Sequence, residues 1–387
     1  MSESLFLPYG RQQIDQEDID AVVDVLQSDY LTTGPAVASF ERDLCDFTGA
    51  KYAVAVSNGT AALHLAVLAL QLPSGAIGVT HPNTFVATSN ALLYCGHTPR
   101  FVDIDRRTYV MDPGLLEDYL RRERADIVMP VHFAGHTAGV EELSQLAREY
   151  GAFVIEDAAH AIGGRYQDGS RVGSCSHSDM TIFSFHPVKT LTTGEGGAIM
   201  TNDEELYRRL VMLRTHGITR DPGMITNSPG PWYYEMQTLG YNYRITDIQA
   251  ALGRSQLRKL DSFVARRREL VNSYNAAFSD VPWLTTPYEE ERRKTAWHLY
   301  ILQFDWAAVG TTRAQAMELL RKAGVGTQVL YIPVHMQPFY REQLGFRIGD
   351  FPAAERYYDR TLAIPLYPAM SNQDQERVIS AIRELGA

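Results

Sequence analysis

Tyr52-Ala-Val-Ala-Val-Ser-Asn-Gly-Thr-Ala-Ala-Leu-His-Leu-Ala-Val-Leu-Ala-Leu-Gln-Leu72 decides the fold, because it reads as a strand, a tight turn and a helix in immediate succession. Tyr52–Val56 is a short apolar run, Ser57-Asn-Gly-Thr60 breaks it, and residues 60–72 carry an apolar helical run. Outward from this stretch the alternation continues: strand-like Ala76–Thr80, helical 84–95, strand-like Arg100–Asp103, helical 113–122, strand-like Asp126–Val131, helical 139–150 and strand-like Phe153–Glu156. Short apolar runs alternating with helices indicate βαβ units, hence an α/β fold with a mainly parallel central sheet. Upstream, residues 14–28 form an acidic amphipathic helix with Ile19, Val22, Val23 and Leu26 on its apolar side. Tyr30-Leu-Thr-Thr-Gly-Pro35 ends it, and a second helix covers 36–48.

Past residue 245 the pattern changes. Residues 246–278 read as one long charged amphipathic helix, followed by strand-like Leu299–Phe304, a helix over 312–323 and a terminal helix over 373–385. The reading divides the 387 residues into a large α/β unit with an N-terminal arm, 1–245, and a smaller C-terminal α+β unit, 246–387. Residues 220–238, rich in proline, glycine and aromatics, read as a mobile loop.

Composition narrows the function. Hydrophobic residues at 45% and charged residues at 21% are ordinary for a globular protein. A net charge of -10 argues against a nucleic-acid or anionic-membrane surface, though not against one basic pocket for a phosphorylated ligand. Cys45, Cys95 and Cys175 are far apart, without metal or disulfide spacing, which suits a reducing cytoplasm. Met1–Pro8 lacks the basic and apolar regions of a leader, and the apolar stretch 61–72 is too short to span a bilayer.

Four features fall at strand ends, where ligands of parallel sheets gather. Ser57-Asn-Gly-Thr60 opens a helix and offers backbone N–H groups to one phosphate, although a plain Asn-Gly turn with a threonine cap reads equally well. Glu156-Asp-Ala-Ala-His160 brings a carboxylate that could hold a proton on a heterocyclic nitrogen. A metal is the weaker reading there, for want of a third ligand, and at His132-Phe-Ala-Gly-His136, which lacks the glutamate of a zinc helix. Thr84-Phe85 could present a ring to a planar ligand, with core packing as the plainer alternative. Finally, Met180-Thr-Ile-Phe-Ser-Phe-His-Pro-Val-Lys189 delivers Ser184 and Lys189 into a turn before Gly194-Glu-Gly-Gly197. A poorly solvated lysine there can lose its proton and attack a carbonyl. A phosphate cradle, an aromatic face, a carboxylate and an amine together match the needs of pyridoxal 5′-phosphate.

The sequence resembles the DegT-type sugar aminotransferases, a branch of the aspartate aminotransferase fold (fold type I). Ser57-Asn-Gly-Thr-Ala-Ala62, Glu156-Asp-Ala-Ala-His160, Phe183-Ser-Phe-His-Pro-Val-Lys189, Gly194-Glu-Gly-Gly197 and Gly240-Tyr-Asn-Tyr-Arg244 carry the resemblance. It implies that Lys189 binds the cofactor as an imine, that Asp157 pairs with the pyridine nitrogen and that Phe85 stacks on the ring. Gly59, Thr60 and Ser184 would hold the phosphate, His160 would lie by O3′, and Asn242 would reach the phosphate from the neighbouring subunit of a homodimer. Lysine at 189, where sugar-deoxygenating relatives carry histidine, implies transamination. Within the family, Leu7-Pro-Tyr-Gly-Arg-Gln12 and Ser28-Asp-Tyr-Leu-Thr-Thr-Gly-Pro35 most resemble members that aminate C4 of a keto sugar in pseudaminic acid biosynthesis. That likeness implies UDP-2-acetamido-2,6-dideoxy-β-L-arabino-hexos-4-ulose as acceptor and L-glutamate as donor. Tyr9, Tyr30, His186, Arg220, Tyr331 and His335 are candidate substrate contacts, and Arg214 and Arg244 candidate partners for carboxylate or phosphate. Three alternatives stay open: another nucleotide-linked keto sugar, a lysine-imine lyase or aldolase, and a cofactor-binding regulator without turnover.

Overall fold

The computed structural model describes residues 6–137 and 139–386; Met1–Leu5, part of the stretch read above for a leader, lie outside the described residues. Helices α1 (Gln16–Leu26) and α2 (Pro35–Thr48) lead into the expected strand, turn and helix, β1 (Tyr52–Val56) and α3 (Gly59–Ala69). The alternation continues through β2 (Ile77–Thr80), α4 (Ala87–Tyr94), β3 (Thr98–Phe101), α5 (Pro113–Leu120), β4 (Ile127–Val128), α6 (Val140–Glu149) and β5 (Phe153–Asp157). β6 (Met180–Ser184), β7 (Gly197–Thr201) and α7 (Glu204–Arg214) follow. The strands form a seven-stranded sheet in the order β1-β7-β6-β5-β4-β2-β3, parallel except for β7.

Register sets up the site. Val56 and Ser184 both pair with Gly197, while Asp157 pairs with Ile182, so the carboxyl ends of β1, β5 and β6 meet at one sheet edge. Both faces of these strands are covered, because alternate residues supply each core. Val54 and Val56 pack with Ile155, Ile182 and Ile199 under α3 and α7. Ala53 and Ala55 pack with Phe183, Ala198 and Met200 against Phe40 and Leu44 of α2. Burying one such valine or leucine contributes about 1.5–3 kcal/mol, which is why the apolar runs take the centre of the sheet.

α1 forms as read, with its apolar stripe facing outward. Ile19, Val23 and Leu26 are exposed, and the buried residue is Asp18. Asp18 completes a capping box with Asp15 and accepts from Gln256, while the Lys259 ammonium lies 2.8 Å away. These polar contacts seat the helix and leave its apolar stripe on the surface of the chain. Residues 220–238 lie mostly within a hairpin, β8 (Ile218–Thr219) with β9 (Glu235–Met236), whose loop is tied by the Glu235 carboxylate to Thr226, Asn227 and Tyr233.

The long helix α8 (Asp247–Phe278) starts at a capping box of Thr246 and Gln249. Its first half packs on the large sheet through Leu257, Leu260 and Val264; Leu270, Val271 and Tyr274 belong to a second core. That core covers the antiparallel sheet of β10 (Leu284–Thr285), β11 (Tyr300–Phe304) and a strand from Thr361. Short helices α9 (Trp306–Val309), α10 (Arg313–Lys322), α11 (Pro338–Leu344) and α12 (Pro352–Arg360) precede that last strand, β12 (Thr361–Ile364), and α13 (Asn372–Arg383) follows it. Between the two cores, the buried Arg267 guanidinium donates to the carbonyls of Trp297, His298 and Leu366. Among the described residues no helix is long and apolar enough to cross a membrane.

Candidate active site

A cavity of about 590 Å³ opens where the carboxyl ends of β1, β5 and β6 meet. Its floor includes the start of α3. Asn58 caps that helix by accepting from the Ala61 N–H at 2.8 Å. The first-turn amides of Gly59 and Thr60 have no helical acceptor, so they are free to hold an anion. The turn lies hard against the sheet: a Cβ on Gly59 would stand 2.8 Å from Ser184 Cβ, and one on Gly197 2.6 Å from the Asn58 carbonyl. Glycine at both places is what brings the helix start beside the Ser184 hydroxyl.

Strand alternation separates the two carboxylates that end β5. Asp157 lines the cavity, whereas Glu156 points to the opposite face. There Glu156 meets His132 Nε2 at 2.5 Å and accepts from Tyr166 at 2.6 Å, Ser178 at 2.5 Å and Thr181 at 3.1 Å. Asp157 accepts from the Thr88 hydroxyl at 2.6 Å and from the Ala159 N–H at 3.1 Å. Burial pushes the Asp157 pKa up, against the pull of these donors and of Lys189. A cation at the open side of this carboxyl would favour its ionised form.

Lys189 sits in the turn after β6, its N–H donating to the His186 carbonyl at 2.9 Å, with its side chain lining the cavity. Enclosure lowers its pKa from 10.5 to about 8, although Asp157 acts in the opposite sense. Near neutral pH a usable fraction of the amine is therefore uncharged and nucleophilic. His160 is buried beside it. Because His160 Nδ1 accepts from the Ala134 N–H at 3.2 Å, its proton is assigned to Nε2, which donates to the Tyr331 hydroxyl at 3.3 Å. Burial first, and Lys189 second, hold His160 well below its usual pKa, in keeping with that neutral form.

Phe85, 55% exposed, stands at the cavity mouth with its ring 5.8 Å from that of Tyr331. Tyr9, His186 and Tyr331 also line the cavity. Of the remaining candidates, Tyr30 is exposed outside this lining, Arg220 lies in the β8–β9 hairpin loop near the Tyr234 ring, and Asn242 pairs with Thr215 along the backbone. His335 must be corrected as a substrate contact: it is fully buried away from the cavity, and its Nε2 lies 2.8 Å from Glu355. Arg214 is likewise committed elsewhere, to Glu41 and the Ala55 carbonyl at 2.7 Å, and Arg244 bridges Val56 along the backbone. The sequence reading missed Thr88, whose only signal is its place one helical turn after Thr84, and His298, whose ring packs 4.4 Å from that of His160. No group of three or more His, Cys, Asp or Glu among the described residues is placed to hold a metal ion.

An aspartate aminotransferase-like sheet whose strand ends join a lysine amine, a buried carboxylate and a helix N-terminus defines a fold-type-I pyridoxal phosphate enzyme. The chain belongs to the DegT/DnrJ/EryC1/StrS aminotransferase family, whose sequence profile matches residues 12–383. It is 42% identical over 381 residues to the spore coat polysaccharide biosynthesis protein SpsC of Bacillus subtilis, covering 98% of this chain and 97% of that one. Among solved structures, Helicobacter pylori PseC, an aminotransferase involved in the biosynthesis of pseudoaminic acid, is similar with a TM-score of 0.90 at 30% identity, over 98% of this chain and 99% of PseC. Spr1654 of Streptococcus pneumoniae, a proposed sugar aminotransferase in its PLP form, has a TM-score of 0.90 at 29% identity, over 98% of each chain. The protein is thus a pyridoxal-phosphate-dependent transaminase.

The residues present fit that cofactor. The tight contact of Gly59 with Ser184 leaves amides and a hydroxyl together for a phosphate, and Asp157 offers a carboxylate for a ring N–H. Substituting Gly59 by alanine places a methyl within 2.8 Å of Ser184 Cβ. Gly59→Ala is expected to weaken cofactor affinity by about tenfold, the scale of overpacking a close contact. Equilibrium dialysis of apoenzyme against pyridoxal 5′-phosphate checks this, and unchanged affinity would remove the turn from the cradle.

Proposed function

We propose that this enzyme moves the amino group of L-glutamate to C4 of a UDP-linked 4-keto-6-deoxy-N-acetylhexosamine, UDP-2-acetamido-2,6-dideoxy-β-L-arabino-hexos-4-ulose, on the route to pseudaminic acid. The observation that carries the reading is the enclosure of the Lys189 amine in one cavity with Asp157, Ser184 and the start of α3. The similarity to PseC supports the choice of sugar.

When bound, the cofactor supplies an electron sink for the carbanion formed at the amino-bearing carbon. In this reading the amides of Gly59 and Thr60 and the Ser184 hydroxyl hold the phosphate, and Phe85 covers one face of the ring. Asp157 keeps a proton on the ring nitrogen, and His160 lies by O3′. Lys189, freed as a neutral amine, takes the proton from glutamate Cα and later returns one to sugar C4. Tyr9, His186 and Tyr331 line the outer cavity, where the sugar nucleotide would lie.

A homodimer belongs to the same proposal. The exposed stripe Ile19, Val23 and Leu26 on α1, with Tyr30 and Leu31 beyond it, is the apolar surface a second copy would cover. Asn242, Tyr30 and Arg220 would then complete the partner's cavity rather than this one. The division at 245/246 gives α8 as the brace between a cofactor-binding unit and a smaller unit, and the free cysteines support a cytoplasmic site.

The likeness to SpsC favours a second reading, amination of another nucleotide-linked keto sugar, at C3 or C4 and carried by UDP, dTDP or GDP. An acceptor panel with glutamate as donor, read by 2-oxoglutarate release, separates the two. The first reading expects the UDP 4-keto sugar to be turned over at least about tenfold faster than dTDP and GDP analogues, as loss of one charged hydrogen bond alone would give. Equal or faster turnover of an analogue would assign the second.

A further inference from the structure

A second cavity, of about 270 Å³, lies away from the active site, between the turn after Asp105, the β10–β11 edge and α12. Arg106, Arg356 and Arg360 converge on it, and Gln303 and Thr285 add polar groups, yet among the described residues no acidic one lines it. Three cations gathered in a chain of net charge -10 need an explanation. None of the three makes an ion pair among the described residues, and the buried Nε of Arg360 has no hydrogen-bond partner there. Three of the neighbouring acids are engaged elsewhere. Asp103 accepts from the Ala353 and Ala354 amides, Asp105 from those of Arg107 and Thr108, and Glu355 binds His335 and the Gly349 amide. Arg356 and Arg360 are one helical turn apart on α12, a spacing at which like charges repel.

We propose that this cavity is an anion site for a phosphate or diphosphate group. Guanidinium groups bind such oxyanions by paired, charge-assisted hydrogen bonds, and three of them around one space supply more donors than a carboxylate can accept. Tyr109 and Tyr357 form an apolar floor, their rings 4.8 Å apart. Tyr357 also reaches the active site: its hydroxyl donates at 2.8 Å to the carbonyl of Leu330, which lines the catalytic cavity beside Tyr331. An anion held by Arg106 from the large sheet's side and Arg356 from α12 therefore ties the two sides of the seam that carries Leu330.

The phosphate chemistry could come from a free diphosphate or from a nucleotide, so both are titrated into the cofactor-loaded enzyme by calorimetry: inorganic diphosphate in one arm, UDP in the other. Arg106 and Arg356 are exposed, so R106Q and R356Q remove charge without emptying a core. Each is expected to weaken the site by about tenfold, the scale of a hydrogen bond to a charged group, and R106Q/R356Q by about a hundredfold. The double lysine variant, R106K/R356K, keeps the charge and is expected to retain part of the affinity. Tighter binding of UDP, lost in the double glutamine variant, identifies a nucleotide; equal or tighter binding of diphosphate, lost in the same way, identifies the free ion. Binding of neither ligand, or binding that is the same in wild type and R106Q/R356Q, overturns the proposal.

Discussion

Replacing Lys189 with alanine is expected to lower transamination by on the order of 10⁴-fold, because in the proposed mechanism one side chain supplies both a nucleophile and the proton shuttle. The structure gives the reason for so large an effect. The amine is enclosed, its pKa is brought down to about 8, and it shares its cavity with the carboxylate that would face the cofactor ring. Among the described residues no other lysine lines that cavity to take its place. The cofactor should still bind Lys189→Ala, through the Gly59 and Ser184 cradle, but without a covalent bond. Borohydride treatment followed by peptide mass spectrometry separates the cases: the wild type should carry the cofactor mass on the peptide with Lys189, the variant nowhere. Substantial turnover by the variant would move the chemistry to another residue.

The depressed pKa has its own consequence. Only the neutral amine attacks a carbonyl, and the neutral fraction rises as pH passes the pKa. Covalent attachment of cofactor to apoenzyme should therefore speed up with pH and level off above about pH 8. A lysine left at the ordinary value would keep accelerating toward pH 10, and a rate profile by absorbance distinguishes the two.

Asp157→Asn is expected to cost about 10³-fold in kcat, the scale of removing one preorganised electrostatic contact from a water-poor site. The amide keeps the size and can still meet Thr88 and Ala159, but it cannot balance a protonated ring nitrogen. Burial already disfavours a lone charge at Asp157, so in the proposed reading the carboxylate and a ring cation would stabilise each other and be lost together. Cofactor content should change far less than kcat, which absorbance and steady-state kinetics measure side by side. A variant within a fewfold of wild type would mean that Asp157 does not hold the ring proton.

The sheet and the inner site were legible in the sequence because both are local. β1, its turn and α3 follow from one continuous stretch, while Asp157 rather than Glu156 was implied by the family resemblance and lines the cavity. Ser184 and Lys189 belong to one strand and its turn. Features built from distant segments were not legible. Thr88 matters only because α4 is laid beside β5, and His298 only because the segment before β11 packs against His160. His335 looked like a cleft histidine in a promising motif, yet the Glu355 carboxylate that holds it lies twenty residues further along. The exposure of the α1 stripe has a different cause. Its periodicity is real, but buried Asp18, ion-paired with Lys259, seats the adjoining side of the helix on the chain. The arginine cavity joins Arg106 to Arg356 and Arg360 across most of the sequence, which no local pattern could disclose.

The central claim is that this chain transfers nitrogen from glutamate to a sugar carbonyl, and isotope tracing tests it most directly. The cofactor-loaded enzyme is incubated with ¹⁵N-glutamate and the UDP-linked 4-keto sugar, and the product is read by NMR. The account predicts ¹⁵N bonded to C4 of the sugar, with one equivalent of 2-oxoglutarate released. An unlabelled sugar, or label that never leaves glutamate while the keto sugar is consumed, would contradict it.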